Sequence, residues 1–89
     1  MAQRFRVKFV PQSFEEYRSL DHSIIEEVDK AIESLEERAD EVGKVMGNRR
    51  QIELRGTKEK KLRTSGIRII YQITDRQVEV LRIVEILLV

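Results

Sequence analysis

Lys60, Lys61, Arg63 and Arg68 flank a single Ser65-Gly66 corner in the stretch KKLRTSGIRIIYQIT, residues 60–74. Four cations gathered at one turn suit a polyanion, since ammonium and guanidinium groups form charge-assisted hydrogen bonds to phosphate oxygens. A lysine crowded by other cations binds its proton less tightly, so the same cluster could supply a general base. The alternative is a solvated edge strand whose charges deter strand-to-strand association, and composition leaves both readings open. Metal chemistry is not expected: there is no cysteine, and His22 is the only histidine. A thiolate zinc site, a His-rich metal site and a disulfide framework are thereby excluded, and no cofactor is expected.

The elements around this cluster divide by charge. Residues 15–41 carry eleven acids against Arg18, Lys30 and Arg38, a balance of −8. Residues 49–68 carry Arg49, Arg50, Arg55, Lys58, Lys60, Lys61, Arg63 and Arg68 against Glu53 and Glu59, a balance of +6. The net charge of +1 hides an acidic half and a basic half, and that asymmetry bears on partners more than the total does. At 89 residues the chain is expected to form one domain, residues 1–89. Neither terminus has an apolar run long enough for a signal peptide or membrane span, so a cytoplasmic protein is expected.

Strict alternation in RFRVKFV, residues 4–10, predicts a half-buried strand with Phe5, Val7 and Phe9 on one face. Pro11 stops it. Ser13-x-x-Glu16 has the form of a capping box opening a short helix, with Phe14, Tyr17 and Leu20 along one side. Asp21-His22 breaks that helix, and Ser23-x-x-Glu26 offers a second capping box. Ile25, Val28, Ile32, Leu35, Ala39 and Val42 then recur at steps of three and four, an apolar stripe opposite an acidic face. Beyond Gly43 and Gly47, strands are predicted at 51–55, 60–64, 67–73 and from Gln77 to about Leu88. In the last of these Glu79, Arg82 and Glu85 fall three apart, which also fits a helix; its Val and Ile content favours strand.

The order of these elements, with ELRGTKEKKLRTSGIRIIYQITDRQVEVL at 53–81, resembles the RelE/ParE superfamily of toxins from type II toxin–antitoxin pairs. The resemblance rests on a Leu-x-Gly element at 54–56, Lys-Leu-Arg-x-Ser-Gly at 61–66, and an Arg-x-x-Tyr strand from Arg68 to Tyr71 that turns into a last strand. It covers residues 4 to 86 or so. The fold it implies is α+β: a small antiparallel sheet in β-α-α-β-β-β order with two helices packed on one face.

The activity implied is ribosome-dependent cleavage of messenger RNA in the manner of RelE. The partners implied are a cognate antitoxin, the ribosome and mRNA; a homodimer stays open. Cleavage by RNA's own 2′-hydroxyl needs a base, positive charge to meet the phosphorane, and an acid for the departing 5′-oxygen. By the resemblance Lys61 is the general base, Arg68 steadies the phosphate, and Arg63 contacts substrate. Lys60, Lys58, Arg55, Arg49 and Arg50 complete the RNA-binding candidates, although Arg49-Arg50, after Gly47-Asn48, reads more simply as a solvated loop than as a phosphate clamp. Two departures stand out. A further family lysine, two residues before the base, falls on Glu59 here. The family's terminal basic residue falls near Leu88, with no Arg or Tyr after it. An incomplete catalytic set makes a non-catalytic relative the alternative, either a ParE-like inhibitor of DNA gyrase or a silent toxin acting through its antitoxin. The tail EILLV, residues 85–89, either finishes the core or offers an apolar surface to such a partner.

Overall fold

A computed structural model of the chain describes residues 4–45 and 57–86. The elements are β1 (Arg6–Phe9), α1 (Pro11–Arg18), α2 (His22–Val42), β2 (Lys44–Val45), β3 (Lys58–Leu62), β4 (Ile67–Thr74) and β5 (Gln77–Glu85). The predicted strand at 51–55 and the tail residues Leu87, Leu88 and Val89 lie outside the described residues. The five strands form one sheet in the order β1-β5-β4-β3-β2. Strands β3 to β5 pair antiparallel, as expected, and β2, a strand not predicted, pairs antiparallel with β3; β1 runs parallel to β5, so the sheet is mixed. Alternation told which residues of β1 face the core; it carries no information about strand direction.

One face of the sheet carries the core. Val28, Ala31, Leu35 and Ala39 of α2 pack with Ile67, Ile69 and Tyr71 of β4 and with Val78, Val80 and Ile83 of β5. Val7, Phe9, Tyr17, Leu20, Ile24 and Ile32 close its margins. The inward residues of β5 are Val78 and Val80, then Ile83, a step of three. The pairing explains the change of phase: Tyr71 lies opposite Val80 and Ile70 opposite Arg82, which leaves Leu81 as the extra residue of a β-bulge. The three-residue spacing of Glu79, Arg82 and Glu85 is therefore a bulged strand and not a helix.

Neither predicted capping box caps its helix. Helix α1 starts at Pro11, with Val10 as N-cap and no side-chain cap; proline suits the first helical position because its φ is preset and the missing N–H had no partner to lose. Ser13 is fully buried, and its hydroxyl lies 2.5 Å from the Val80 carbonyl oxygen and 3.1 Å from that of Val10. The Glu16 carboxylate accepts the Ile83 N–H at 2.8 Å and the Arg82 Nε–H at 2.9 Å. Ser13 thus adds a second donor to the Val80 carbonyl, which already accepts the Val10 N–H at 3.2 Å, while Glu16 takes up the Ile83 N–H on the edge of β5 past the end of β1. Helix α2 likewise starts at His22 behind an Asp21 N-cap that makes no side-chain bond, so Ser23 sits inside its first turn.

Glu16→Ala should therefore cost about 1.5–3 kcal/mol, the range for a hydrogen bond to a charged group. Glu15→Ala, which removes only an exposed i,i+3 pair with Arg18, should cost less than about 0.5 kcal/mol. Urea denaturation of both variants checks the contrast; equal losses would remove Glu16 from the role of edge partner.

The C-terminal end of α2 is kinked at Arg38, whose φ of −142° and ψ of 39° are not helical. The surrounding carbonyls are taken up by the rest of the fold. Glu36 accepts the N–H groups of Arg4 and Phe5 at 3.0 and 2.9 Å. Ala39 accepts the Tyr71 hydroxyl at 2.8 Å, and Asp40 accepts Lys58 Nζ at 2.9 Å. Arg4 pairs with the Asp40 and Glu41 carboxylates at 2.9 and 3.2 Å. The hydrogen bond from Arg4 holds the Asp40 carboxyl below its usual range. Burial, with a smaller push from the Asp40 charge, drives the Tyr71 phenol up to about 12, against a partial pull downward by the Gly43 backbone.

Candidate nucleic-acid interface

The face of the sheet away from the helices carries the cluster. In the β3–β4 ladder Lys58 lies opposite Tyr71, Glu59 opposite Ile70, Lys60 opposite Ile69, Lys61 opposite Arg68 and Leu62 opposite Ile67. Ile67, Ile69 and Tyr71 face the helices, so alternation turns Arg68, and with it Glu59 and Lys61, to the open face. Side chains of directly paired residues stand about 4.5–5.5 Å apart at Cβ, close enough for Lys61 and Arg68 to grip one anion.

The corner between them is anchored at both ends. Gly66 takes a φ of +70°, a conformation that disfavours residues with a Cβ, and nothing crowds the place where a Cβ would stand. The glycine is required by the turn and not by space. The Ser65 hydroxyl donates to the Glu27 carboxylate on α2, and the Gly66 carbonyl accepts the Ile86 N–H at 2.8 Å. A turn held to α2 on one side and to the end of β5 on the other fixes the register that brings Lys61 to Arg68.

The other candidates are distributed differently. Lys58 and Lys60 face the helices: Lys58 donates to the Asp40 carbonyl, and Lys60 borders a hollow with Glu27, Lys30 and Ser34. Arg63 is exposed in the turn that follows β3. Arg49, Arg50 and Arg55 lie outside the described residues. The open face thus unites Lys61 and Arg68 while the intervening parity of the strand sends Lys58 and Lys60 to the opposite side.

Two features of this face were not among the residues expected to bind RNA. The first is Glu59, which sits in its centre. Its Oε1 lies 3.6 Å from Lys61 Nζ and its Oε2 lies 3.2 Å from Arg68 Nε. Its side chain is only 15% exposed, against 33% for Lys61 and 29% for Arg68. The Arg68 contact is ionic and not a hydrogen bond: the buried Nε–H has no acceptor in line among the described residues. The second is the pair Arg6 and Lys8. Val7 and Phe9 of β1 pack on the core, so Arg6 and Lys8 are exposed on the open face, two strands and about 10 Å from β4 at ordinary sheet spacing. Between them Gln72 donates to Glu79 at 2.7 Å. The alternation of RFRVKFV had already put Arg6 and Lys8 on the face opposite Phe5, Val7 and Phe9.

Among the described residues no group of three or more His, Asp or Glu side chains is placed to hold a metal ion. No helix among the described residues is long and apolar enough to cross a membrane. What the open face can do is bind an extended anion through lysine and arginine, with the carboxylates of Glu59 and Glu79 among them.

No protein-family model matches the chain, and no curated protein matches it. Solved structures do. The chain is similar to the RelBE2 toxin–antitoxin complex of Mycobacterium tuberculosis, with a TM-score of 0.77 and 22% identity over 92% of this chain and 98% of that one. Against the isolated RelE toxin of E. coli the TM-score is 0.74 and the identity 25%, over 96% of this chain and 87% of that one. The chromosomal ParDE system of P. aeruginosa gives a TM-score of 0.75 over 97% of this chain and 100% of that one, at 11% identity, a likeness of fold alone. With two helices on one face of a mixed sheet and these likenesses, the chain has the fold of the RelE/ParE toxins. Those solved structures are toxins or toxin–antitoxin assemblies.

Proposed function

We propose that this protein is a RelE-like toxin that inhibits translation by cutting messenger RNA on the ribosome and is held silent by a cognate antitoxin. The observation that carries the reading is the pairing of Lys61 with Arg68 across β3 and β4 on the open face. On a phosphodiester laid there Lys61 would take the 2′-hydroxyl proton as that oxygen attacks phosphorus and Arg68 would meet the charge of the phosphorane; the P–O5′ bond then breaks and the departing 5′-oxygen takes its proton from water. Arg63, exposed in the adjoining turn, extends the contact along the RNA. The antitoxin follows from the solved relatives, of which the M. tuberculosis example is a toxin–antitoxin complex. Ribosomes and messenger place the action in the cytoplasm.

A second reading, a binding protein of the same fold that does not cut, is favoured by one observation. Glu59 contacts both cations, so the three groups together carry a formal charge of only +1, less than a dedicated phosphate clamp would present. Such a protein would act on gyrase or through its antitoxin.

Induced expression in bacterial cells, with primer extension on a translated messenger, separates the two. Translation-dependent cuts are expected, and they should disappear with Lys61→Ala. Growth arrest without cuts would support the second reading, and cuts that persist in the Lys61→Ala variant would remove Lys61 from the chemistry.

A further inference from the structure

We propose that Glu59 is an internal stand-in for phosphate, so that RNA binding at the open face is an exchange of this carboxylate for a phosphodiester. The inference rests on the RNA-binding reading of Lys61 and Arg68 and adds the residue that sets its affinity.

Three observations carry it. The carboxylate bridges the two cations through separate oxygens, Oε1 to Lys61 and Oε2 to Arg68, as the two non-bridging oxygens of a phosphodiester would. Its cross-strand neighbour on β4 is Ile70, an apolar side chain that gives it no polar hold in that direction. Finally, the buried Arg68 Nε–H has no hydrogen-bond acceptor in line among the described residues. Glu59 therefore supplies charge to Arg68 without satisfying its donor. An incoming phosphate oxygen aligned with that N–H gains a hydrogen bond that the carboxylate does not make.

The arrangement has a consequence for selectivity. Isolated anions and weak polyanions must compete with a carboxylate already tethered at the two cations, whereas RNA held by other contacts brings its phosphate at high effective concentration. Glu59 thus biases the face toward a substrate that is already docked.

The test uses the full chain and a short single-stranded RNA, followed by fluorescence anisotropy at several salt concentrations. Glu59→Gln, which keeps the side chain's size and removes its charge, should tighten binding about tenfold at low salt, in line with relief of a like-charge contact. The slope of log K against log salt should steepen by about 0.7, the increment for one more phosphate contact on a single strand. Glu59→Ala must move both quantities in the same direction, which guards against an effect peculiar to the amide. The 15N signal of Arg68 Nε, titrated with inorganic phosphate, supplies a readout independent of RNA: it should respond at lower phosphate in Glu59→Gln than in the parent. Unchanged or weaker RNA binding in both variants, with binding still lost in Arg68→Ala, would overturn the role of Glu59 and leave the RNA reading intact. A phosphate response that improves in Glu59→Gln while neither protein binds RNA would uphold the exchange and overturn the RNA reading.

Discussion

Arg68→Ala is expected to slow cleavage of messenger on translating ribosomes by about 10²–10³-fold, the scale seen when one preorganised donor to a developing oxyanion is removed. The size of the effect follows from where the fold puts this arginine. Strand β4 lies between β3 and β5, and its other face is fixed by Ile67, Ile69 and Tyr71 in the core. The guanidinium thus starts from a backbone that does not need to reorganise as negative charge develops. Lys58→Ala and Lys60→Ala provide the contrast, because both side chains face the helices and not the open face. Their cleavage rates should remain within about threefold of the parent, a change in screened long-range charge and not in a direct contact. Single-turnover assays on a reconstituted translation system, with circular dichroism to confirm the fold, decide the matter. An Arg68→Ala rate within threefold of the parent would take the Lys61–Arg68 pair out of the reaction.

Much of this architecture was legible in the chain because burial leaves a period. The alternation of Phe5, Val7 and Phe9 marked β1, and the stripe through Val28, Leu35 and Ala39 marked α2. What local pattern could not convey was the partner of each element. Ser13 and Glu16 have capping-box spacing, yet the backbone of β5 claims both, a tertiary demand that overrides a local preference. The bulge at Leu81 shifts the phase of β5, so a period of two is followed by a step of three and imitates a helix. The site was legible to the same depth. Lysines and arginines at 58–68 stood out as a cluster of cations, but the register across Ser65-Gly66 was needed to put Arg68 opposite Lys61. Parity then separated Lys58 and Lys60 from that pair. Glu59 was visible only as a departure from the family pattern, and its position between two cations is a product of the ladder.

Gly43→Ala is expected to destabilise the fold by about 2–4 kcal/mol, combining overpacking of a tight core with a weakened hydrogen bond. The backbone is not the reason. Gly43 has φ −96° and ψ 164°, extended values open to any residue. The cause is the Tyr71 side chain. A Cβ at position 43 would overlap the Tyr71 hydroxyl and stand 2.9 Å from Cζ and 3.1 Å from Cε1. Tyr71 is fully buried and its hydroxyl is held by the Ala39 carbonyl, so the ring cannot yield without giving up that bond. Tyr71→Phe alone should cost about 0.5–1.5 kcal/mol for the lost hydrogen bond. In the double variant the two losses should fall short of their sum, because removal of the hydroxyl relieves the nearest overlap while the ring carbons still crowd the new methyl. Urea midpoints at constant m for the parent, both single variants and the double variant measure the coupling. Additive losses would mean that Gly43 and Tyr71 do not share a contact, and Gly43→Ala within 0.5 kcal/mol of the parent would mean that the end of α2 accommodates a methyl. A full coupling carries a consequence for the interface, since Tyr71 and Arg68 stand on opposite faces of the same strand. The close approach of Gly43 to Tyr71 is then what seats β4 against α2, and with it the height at which Arg68 meets a phosphate.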